Sequence, residues 1–257
     1  MTASLGIGIV TCNRRDILLE TLSRVRAHTS MPCIVAVADD GSDDGTADAA
    51  RAQQVMVATG PNMGIAWNKN RALFLLGAVM QCDVVILLED DSFPTQDGWE
   101  TEWVLASERW GHANLGAPWL HDSFLKGSGT VDDPYLSLDV TAQCSSFSRT
   151  ALLYGGYFDS RFRGYGQEHV EHTRRLVRVG YGGTYEDIAG EVRPIYKLLK
   201  SSIEVLSGHS FSNAADRDRN WLMCRQLLFD EVYRMPWQDD TEMAQFRSEM
   251  QAALIQG

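Results

Sequence analysis

The feature that most constrains the fold is an alternation of two sequence patterns in the first third of the chain. Short apolar runs, typical of strands buried on both faces of a sheet, occupy residues 5–11, 33–38, 55–59 and 83–88. Segments with apolar residues at helical spacing lie at residues 16–28, 45–53 and 65–81. Buried strands that alternate with helices predict an α/β fold with a mostly parallel, Rossmann-like sheet flanked by helices.

The rest of the chain is less regular. Strands are predicted at residues 114–118, 139–148, 192–195 and 202–206, and a helix at residues 166–179. Residues 120–134 contain the breakers KGSGT and DDP, so they are predicted as a loop. A final amphipathic helix is predicted at residues 216–233. It is interpreted as a packing element or a dimer interface, because its polar face carries both Asp and Arg.

Composition argues against two classes of partner. The 257-residue chain has a net charge of −11, a poor match to nonspecific nucleic-acid binding or to an anionic membrane surface. The five cysteines are scattered without a CxxC pair, which favours reduced thiols. No apolar stretch approaches the ~18 residues of a membrane span, and the N-terminus lacks a signal-peptide pattern. We therefore expect a cytoplasmic protein without an integral membrane segment.

Polar residues follow three of the predicted strands. Thr11 begins the sequence TCNR, Asp39 begins DDGS, and Glu89 begins EDD. Each group alone fits a solvated loop or a helix cap. Ligands of open parallel sheets bind beyond the carboxyl ends of the strands, so three such groups on one edge favour a site. The carboxylates are suited to Mg²⁺ or Mn²⁺, and such a metal stabilises a leaving diphosphate.

Five segments together resemble a known family. In chain order they are VADDGSDDGT, GPNMGIAWNKNRAL, ILLEDDSFP, GGYFDSRFRGYGQEHVEHTRRLVRVGY and GHSF. Their order and spacing resemble family 2-like glycosyltransferases of the GT-A fold, over residues 5–211. The Gly-Tyr-Gly-x-Glu part of the fourth segment is similar to galactosyl- and N-acetylgalactosaminyl-transferases. The resemblance implies a GT-A domain at 1–212, with a nucleotide-binding half at 1–92, an acceptor half at 93–212 and a helical extension at 213–257.

The resemblance also implies a donor site for a UDP-sugar. Asp39 would accept a hydrogen bond from the uracil ring, and this contact would select uridine. Thr11 and Arg14 would border the nucleotide base, and Asn62, Gly64 and Asn70 belong to the segment that would run beside the donor. Asp90 is a further donor-binding position.

A metal site follows from the same resemblance. Glu89 and Asp91 occupy the outer positions of the DxD motif, with Asp91 expected to be the direct ligand. His209 of GHSF matches a histidine that completes the metal site in some relatives. Because histidine suits Mn²⁺ better than Mg²⁺, Mn²⁺ is the expected metal.

Two adjacent residues are candidates for the base that deprotonates the acceptor. The family has an acidic pair at this position, whereas this chain has Glu168 and His169. A carboxylate in the first turn of a helix is kept ionised by the helix N-terminus. An imidazole titrates near neutral pH and suits the same task. Either residue could be the base, with Glu168 preferred.

The sequence therefore predicts a metal-dependent glycosyltransferase that moves a sugar from a UDP-sugar to a hydroxyl with inversion. A catalytically degenerate nucleotide-sugar-binding protein is the alternative. Nucleotidyl transfer is disfavoured because the first strand is followed by TCNRRD, which has no glycine. The acceptor stays open between a glycan, a lipid-linked sugar, a protein side chain and a modified base. Trp119 is either an acceptor platform or an ordinary packed tryptophan.

Overall fold

The structure is a computed structural model that describes residues 3–206 and 213–256. Its first third is the predicted parallel half of the sheet. The strands are β1 (Leu5–Thr11), β2 (Cys33–Asp39), β3 (Met56–Thr59) and β4 (Val84–Glu89), in the order β3-β2-β1-β4. The helices between them are α1 (Arg15–His28), α2 (Thr46–Ala52) and α3 (Ile65–Leu73). A π-helical turn, Phe74–Val79, continues α3.

Packing of α3 against β1 depends on two glycines. A Cβ added at Gly8 would lie 2.9 Å from the Cβ of Ala72, and one at Gly6 would lie 3.1 Å from the Cβ of Leu76. The alternation of glycine with Leu5, Ile7 and Ile9 in LGIGIVT therefore gives β1 one flat face. The helix lies directly on this face, and its residues reach the end of the strand.

The second part of the sheet is mixed. β9 (Cys144–Ser148) is antiparallel to both β4 and β6 (His112–Leu115). The sheet then continues through β11, β8 and β7, with β10 paired on β11. These strands are β7 (Phe124–Lys126), β8 (Tyr135–Ser137), β10 (Gly183–Ile188) and β11 (Glu191–Leu199). A separate pair consists of β5 (Ser92–Pro94) and β12 (Ile203–Val205). The helices here are α4 (Glu100–Trp110), α5 (Arg149–Gly155) and α6 (Glu168–Arg178).

Several predicted boundaries in this half were wrong. The strand predicted at 139–148 begins only at Cys144, because Val140 to Gln143 line a cavity instead of pairing in the sheet. The loop predicted at 120–134 contains a 3₁₀ turn, Pro118–Ser123, and β7.

The final helix of the prediction is also shorter, and another helix follows it. α7 (Ala214–Gln226) ends before the predicted residue 233, since the carbonyls of Leu228 and Asp230 accept hydrogen bonds from Arg178. α8 (Asp240–Gln256) lies within the helical extension expected at 213–257, in which a second helix was not delimited. Its buried residues Phe246, Met250 and Ala253 follow helical spacing.

Apolar side chains fill both faces of the sheet. On the α3 face, Trp67 and Phe147 belong to the same core as Phe246 and Met250 of α8. The C-terminal helices therefore pack on the main core. In the described part of the chain, none of the helices has the length and apolar character needed to cross a bilayer.

Candidate active site

A cavity of about 420 Å³ opens at the carboxyl ends of β1 and β4. Its polar lining includes Thr11, Arg14, Glu89, Asp90, Asp91, Glu168 and His169. Its apolar wall includes Val10, Ile65, Trp119, Leu120 and Val140. Seven of the residues predicted from the sequence are thus brought together in one cavity, and they come from both halves of the chain.

Arg14 pairs with the two aspartates that follow β4. Its Nη1 atom donates to Asp90 Oδ1 at 2.8 Å and to Asp91 Oδ2 at 3.0 Å. Thr11 donates to the other oxygen of Asp90 at 2.6 Å. Thr11 and Arg14, predicted to border the nucleotide base, therefore contact the carboxylates directly.

Asp90 is buried, and burial raises its pKa to about 6, although the hydrogen bonds from Thr11 and Arg14 favour its ionised form. Because the carboxyl binds its proton more tightly in the folded protein, its contribution to stability falls as pH rises from about 4 to about 6. The loss is on the order of 3 kcal/mol.

We therefore expect the Asp90→Asn protein to gain stability relative to wild type over this pH interval. Urea denaturation at a series of pH values measures the difference, and Asp133→Asn, a change of an exposed carboxylate, is the control. A difference that does not vary with pH between 4 and 6 would contradict the raised pKa of Asp90.

Lys69, a residue that the sequence patterns did not single out, lies between the two halves of the site. Its Nζ atom is 3.1 Å from Glu89 Oε1 and 3.0 Å from Glu168 Oε1. It was missed because the family resemblance assigned Asn62, Gly64 and Asn70 of this segment but not the lysine between them, and one lysine in GPNMGIAWNKNRAL does not indicate its partners. A lysine among buried helix positions was the signal available.

The candidate base pair lies at the start of α6. Glu168 is buried, and its pKa is lowered below the ordinary range, since attraction to Lys69 and His169 outweighs burial, which acts in the opposite direction. His169 Nδ1 is 3.5 Å from Glu168 Oε1 without forming a hydrogen bond, and Nε2 is 3.3 Å from the Val140 carbonyl. Glu168 is thus held as an anion, and Lys69 and His169 both approach its Oε1 atom.

Backbone geometry before α6 is unusual. Gly164, Gly166 and Gln167 all have positive φ angles, of 69°, 92° and 71°. Gln167 is not a glycine, so its left-handed conformation costs energy, and such residues cluster at functional sites. Asn220 of α7 fixes this segment by donating to the carbonyl of Tyr165 at 3.0 Å. The C-terminal helices therefore help to place Glu168.

The two aspartates after β2 have different surroundings. Asp39 is fully buried, and its carboxylate accepts hydrogen bonds from Ser42 and, at 2.7 Å, from Thr59. It does not line the described cavity, and its contact with uracil stays a prediction. Asp40 does line the cavity, and it accepts from the backbone of Met63 and Gly64, both at 2.9 Å.

Three other predicted donor residues lie outside the lining of the described cavity. Asn62 is exposed and approaches the thiol of Cys12. Gly64, with φ of 93°, precedes α3. Asn70 is buried and exchanges two 2.8 Å hydrogen bonds with the backbone of Phe158. The neighbouring Asn68, which was not predicted, lines the cavity.

The strand-end carboxylates fit a cation that a substrate helps to hold. Within residues 3–206 and 213–256, no group of three or more His, Cys, Asp or Glu side chains could hold a metal alone. Glu89 and Asp91 offer carboxylate oxygens, and Mg²⁺ or Mn²⁺ sites commonly combine one or two carboxylates with substrate phosphates and water. His209, the third predicted ligand, lies outside the described residues.

Comparisons with known proteins agree with this architecture. The sequence model of glycosyl transferase family 2 matches residues 7–115. No curated protein matches the chain. The mannosyltransferase PcManGT from Pyrobaculum calidifontis, in complex with GDP-Man and Mn²⁺, has a TM-score of 0.57 and 14% identity, over 100% of this chain and 76% of that one.

Two further structures are similar. GalNAc-T7 with UDP, GalNAc and Mn²⁺ has a TM-score of 0.58 and 14% identity, over 97% of this chain and 54% of that one. This chain thus spans about half of that structure. TarS 1–349 from S. aureus in complex with UDP has a TM-score of 0.59 and 14% identity, over 98% of this chain and 70% of that one. The predicted GT-A α/β fold is confirmed.

Proposed function

We propose that this protein is a metal-dependent glycosyltransferase that moves a sugar from a UDP-sugar to a hydroxyl group, with inversion. The observation that supports this most is the arrangement of carboxylates in one cavity. Glu89 and Asp91 come from the end of β4, whereas Glu168 comes from the start of α6. Such a pair of sites suits a donor on one side and an acceptor on the other.

The similar proteins support the choice of substrate class. The family match covers residues 7–115, which contain the DDGS and EDD sequences. The structures of GalNAc-T7 and TarS contain UDP, and that of PcManGT contains GDP-Man. We choose uridine because DDGS begins with Asp39, the position that the family resemblance assigns to uracil.

In this proposal, Glu89 and Asp91 would hold Mn²⁺ or Mg²⁺. A bound cation of this kind neutralises charge on a departing diphosphate. Arg14, which contacts Asp90 and Asp91, adds a positive charge on the same side. Glu168 accepts the proton of the acceptor hydroxyl. One base opposite one leaving group is the arrangement that a single displacement with inversion requires.

The acceptor side has an apolar wall. Trp119 is 56% exposed and lines the cavity together with Leu120, which suits packing against a sugar ring or another flat group. A glycan, a lipid-linked sugar, a protein side chain and a modified base all remain candidate acceptors. The cytoplasmic location stays a prediction, and so does the interpretation of the helix at 216–233 as a packing element or a homodimer interface.

Titration of UDP into the protein, followed by calorimetry with and without Mn²⁺, tests the proposal. We expect binding that needs Mn²⁺ and is at least about 100-fold weaker in Asp91→Ala, since loss of a metal ligand exceeds the 10–100-fold effect of groups around it. Asp133→Ala, at an exposed position, is the matched control. Equal binding without Mn²⁺ would contradict the metal dependence, and no binding of UDP would contradict the donor assignment.

One observation favours a second candidate, a nucleotide-sugar-binding protein without catalysis. The lowered pKa of Glu168 makes this carboxylate a weak proton acceptor as long as Lys69 pairs with it. UDP binding that depends on Mn²⁺, together with no turnover of any UDP-sugar in the presence of hydroxyl acceptors, would favour the binding protein.

A further inference from the structure

Lys69 is a buried cation that joins two carboxylates from distant parts of the chain. Its side chain is 1% exposed, and its Nζ atom is 3.0 Å from Glu168 and 3.1 Å from Glu89. The ring of Phe158 lies below it, with its centroid 5.6 Å from Nζ. The ammonium group therefore contacts two carboxylates and lies over an aromatic ring.

The charge of Lys69 and the charges of Glu89 and Glu168 stabilise each other. The Lys69 side chain lies within 3.1 Å of both carboxylates, and the carboxylate of Glu168 is buried with it. Removing one member of a buried ion pair leaves an uncompensated charge, which is strongly unfavourable. The Glu168 carboxylate therefore stays at Lys69 in the folded protein.

The position of Lys69 is itself fixed by its neighbours in α3. Asn70, the next residue, holds the backbone of Phe158 through two hydrogen bonds of 2.8 Å. These bonds connect α3 to the segment that leads into α6. Lys69 and Glu168 are consequently placed by the same contact between the two halves of the chain.

We propose that Lys69 is the positioning residue for the base: it holds Glu168 through Oε1, presents Oε2 to the acceptor hydroxyl, and links the base to the donor-side carboxylate Glu89. This inference rests on the proposed function. Lys69 and His169 both approach the carboxylate at Oε1, at 3.0 and 3.5 Å. A carboxylate held by one oxygen has a fixed direction for the other.

Lys69 stays protonated throughout the proposed reaction and takes no part in the proton transfer. The acceptor oxygen forms a bond to the anomeric carbon of the donor, and its proton passes to Oε2 of Glu168. The bond between the anomeric carbon and the diphosphate oxygen breaks, and the electron pair leaves with the diphosphate. Glu168 releases the proton to solvent after the product departs.

Charged groups from three elements face or adjoin Glu168. Lys69 comes from α3, His169 from α6 itself, and Glu89 from the end of β4 on the far side of Lys69. Of these, Lys69 is the positive charge that opposes the effect of burial on Glu168 most strongly. Its removal is therefore expected to raise the pKa of Glu168.

Carbon-13 NMR of the protein with labelled Glu side chains tests the contact without any substrate. Glu168→Gln identifies the signal. We expect the Glu168 signal of wild type and of Lys69→Arg to show no titration between pH 5 and 8, whereas a titration appears in Lys69→Met. Lys69→Gln, which keeps a hydrogen-bond donor, serves if the methionine variant does not fold. A Glu168 signal that is the same in wild type and in the uncharged variant would overturn the proposal.

Kinetics with a panel of UDP-sugars then test the role in catalysis. We expect Lys69→Met to lower kcat about 100-fold, the lower range for a displaced base, with KM for the UDP-sugar changed less than about threefold. Lys69→Arg should restore part of kcat, and Lys126→Met, at an exposed lysine, is the control. In a Glu168→Gln background, Lys69→Met should add little further loss, because Lys69 acts through Glu168.

The outcomes are distinguishable. An unchanged kcat in Lys69→Met, or losses that multiply in the double variant, would overturn the positioning role. If wild type turns over none of the UDP-sugars, the proposed function fails, and the NMR titration still decides whether Lys69 holds Glu168 ionised.

Discussion

Replacing Glu168 with glutamine is expected to lower the turnover of a UDP-sugar by about 10²- to 10⁴-fold, the usual contribution of a general base. Glutamine has nearly the same shape but cannot accept the proton of the acceptor hydroxyl. The affinity for UDP in the presence of Mn²⁺ should change less than turnover, since Lys69 lies between Glu168 and the donor-side carboxylate Glu89. Release of UDP measures turnover, and calorimetry measures binding.

Two further variants serve as a control and as a test of the other candidate base. Glu186→Gln changes an exposed carboxylate on β10 and should keep full activity. His169→Ala removes the other candidate base, and it should lose less turnover than Glu168→Gln. The reverse ranking of the two losses would assign the proton to His169 and leave Glu168 as its neighbouring anion.

The second large effect is expected on stability. Glu249 of α8 and Arg71 of α3 form a buried ion pair, with Nε of Arg71 2.9 Å from the carboxylate. The indole of Trp67 donates to the same carboxylate at 3.1 Å. Glu249→Gln removes the charge but keeps most of the shape, so Arg71 is left undercompensated. We expect the free energy of unfolding to fall by about 3 to 5 kcal/mol.

The same pair connects the C-terminal helix to the donor side of the cavity. Arg71 contacts Asp40 at 2.9 Å and the carbonyl of Pro61 at 2.9 Å, and Asp40 holds the backbone of Gly64. We therefore expect Glu249→Gln to weaken UDP binding as well as stability. Urea denaturation and calorimetry measure the two effects.

Glu231→Gln, at an exposed position of the same C-terminal region, is the matched control for Glu249→Gln. A Glu249→Gln protein with wild-type stability would show that the buried pair contributes no net stabilisation. A destabilised protein with unchanged UDP affinity would show that α8 supports the fold without shaping the donor loop.

Helix α8 also illustrates the limits of sequence interpretation. Its buried face follows helical spacing, so its existence could have been predicted from Phe246, Met250 and Ala253. Its contact with Arg71 could not, because the two partners are 178 residues apart in sequence. An acidic residue on a helix is usually solvated, and only packing of the helix on α3 makes Glu249 a buried partner.

The residues of the candidate site also differ in whether the sequence could predict their positions. The carboxylates after β4 were predictable, since a buried apolar strand fixes where its last residues emerge at the sheet edge. The directions of the Asp39 and Asn70 side chains could not be predicted. Each residue lies among polar positions, and their pattern does not indicate which side chain faces the site. The structure directs Asp39 toward Ser42 and Thr59, and Asn70 toward Phe158.

By itself, the sequence determined the parallel half of the sheet and the edge at which its polar residues gather. Apolar periodicity is local, and it reports which face of each element is buried. Only the tertiary structure decided which charges pair. Lys69 and Glu168 are 99 residues apart, and they meet because the second half of the chain packs on α3. Burial in that contact makes Lys69 and Glu168 depend on each other, and the partly exposed Glu89 contacts the same ammonium group.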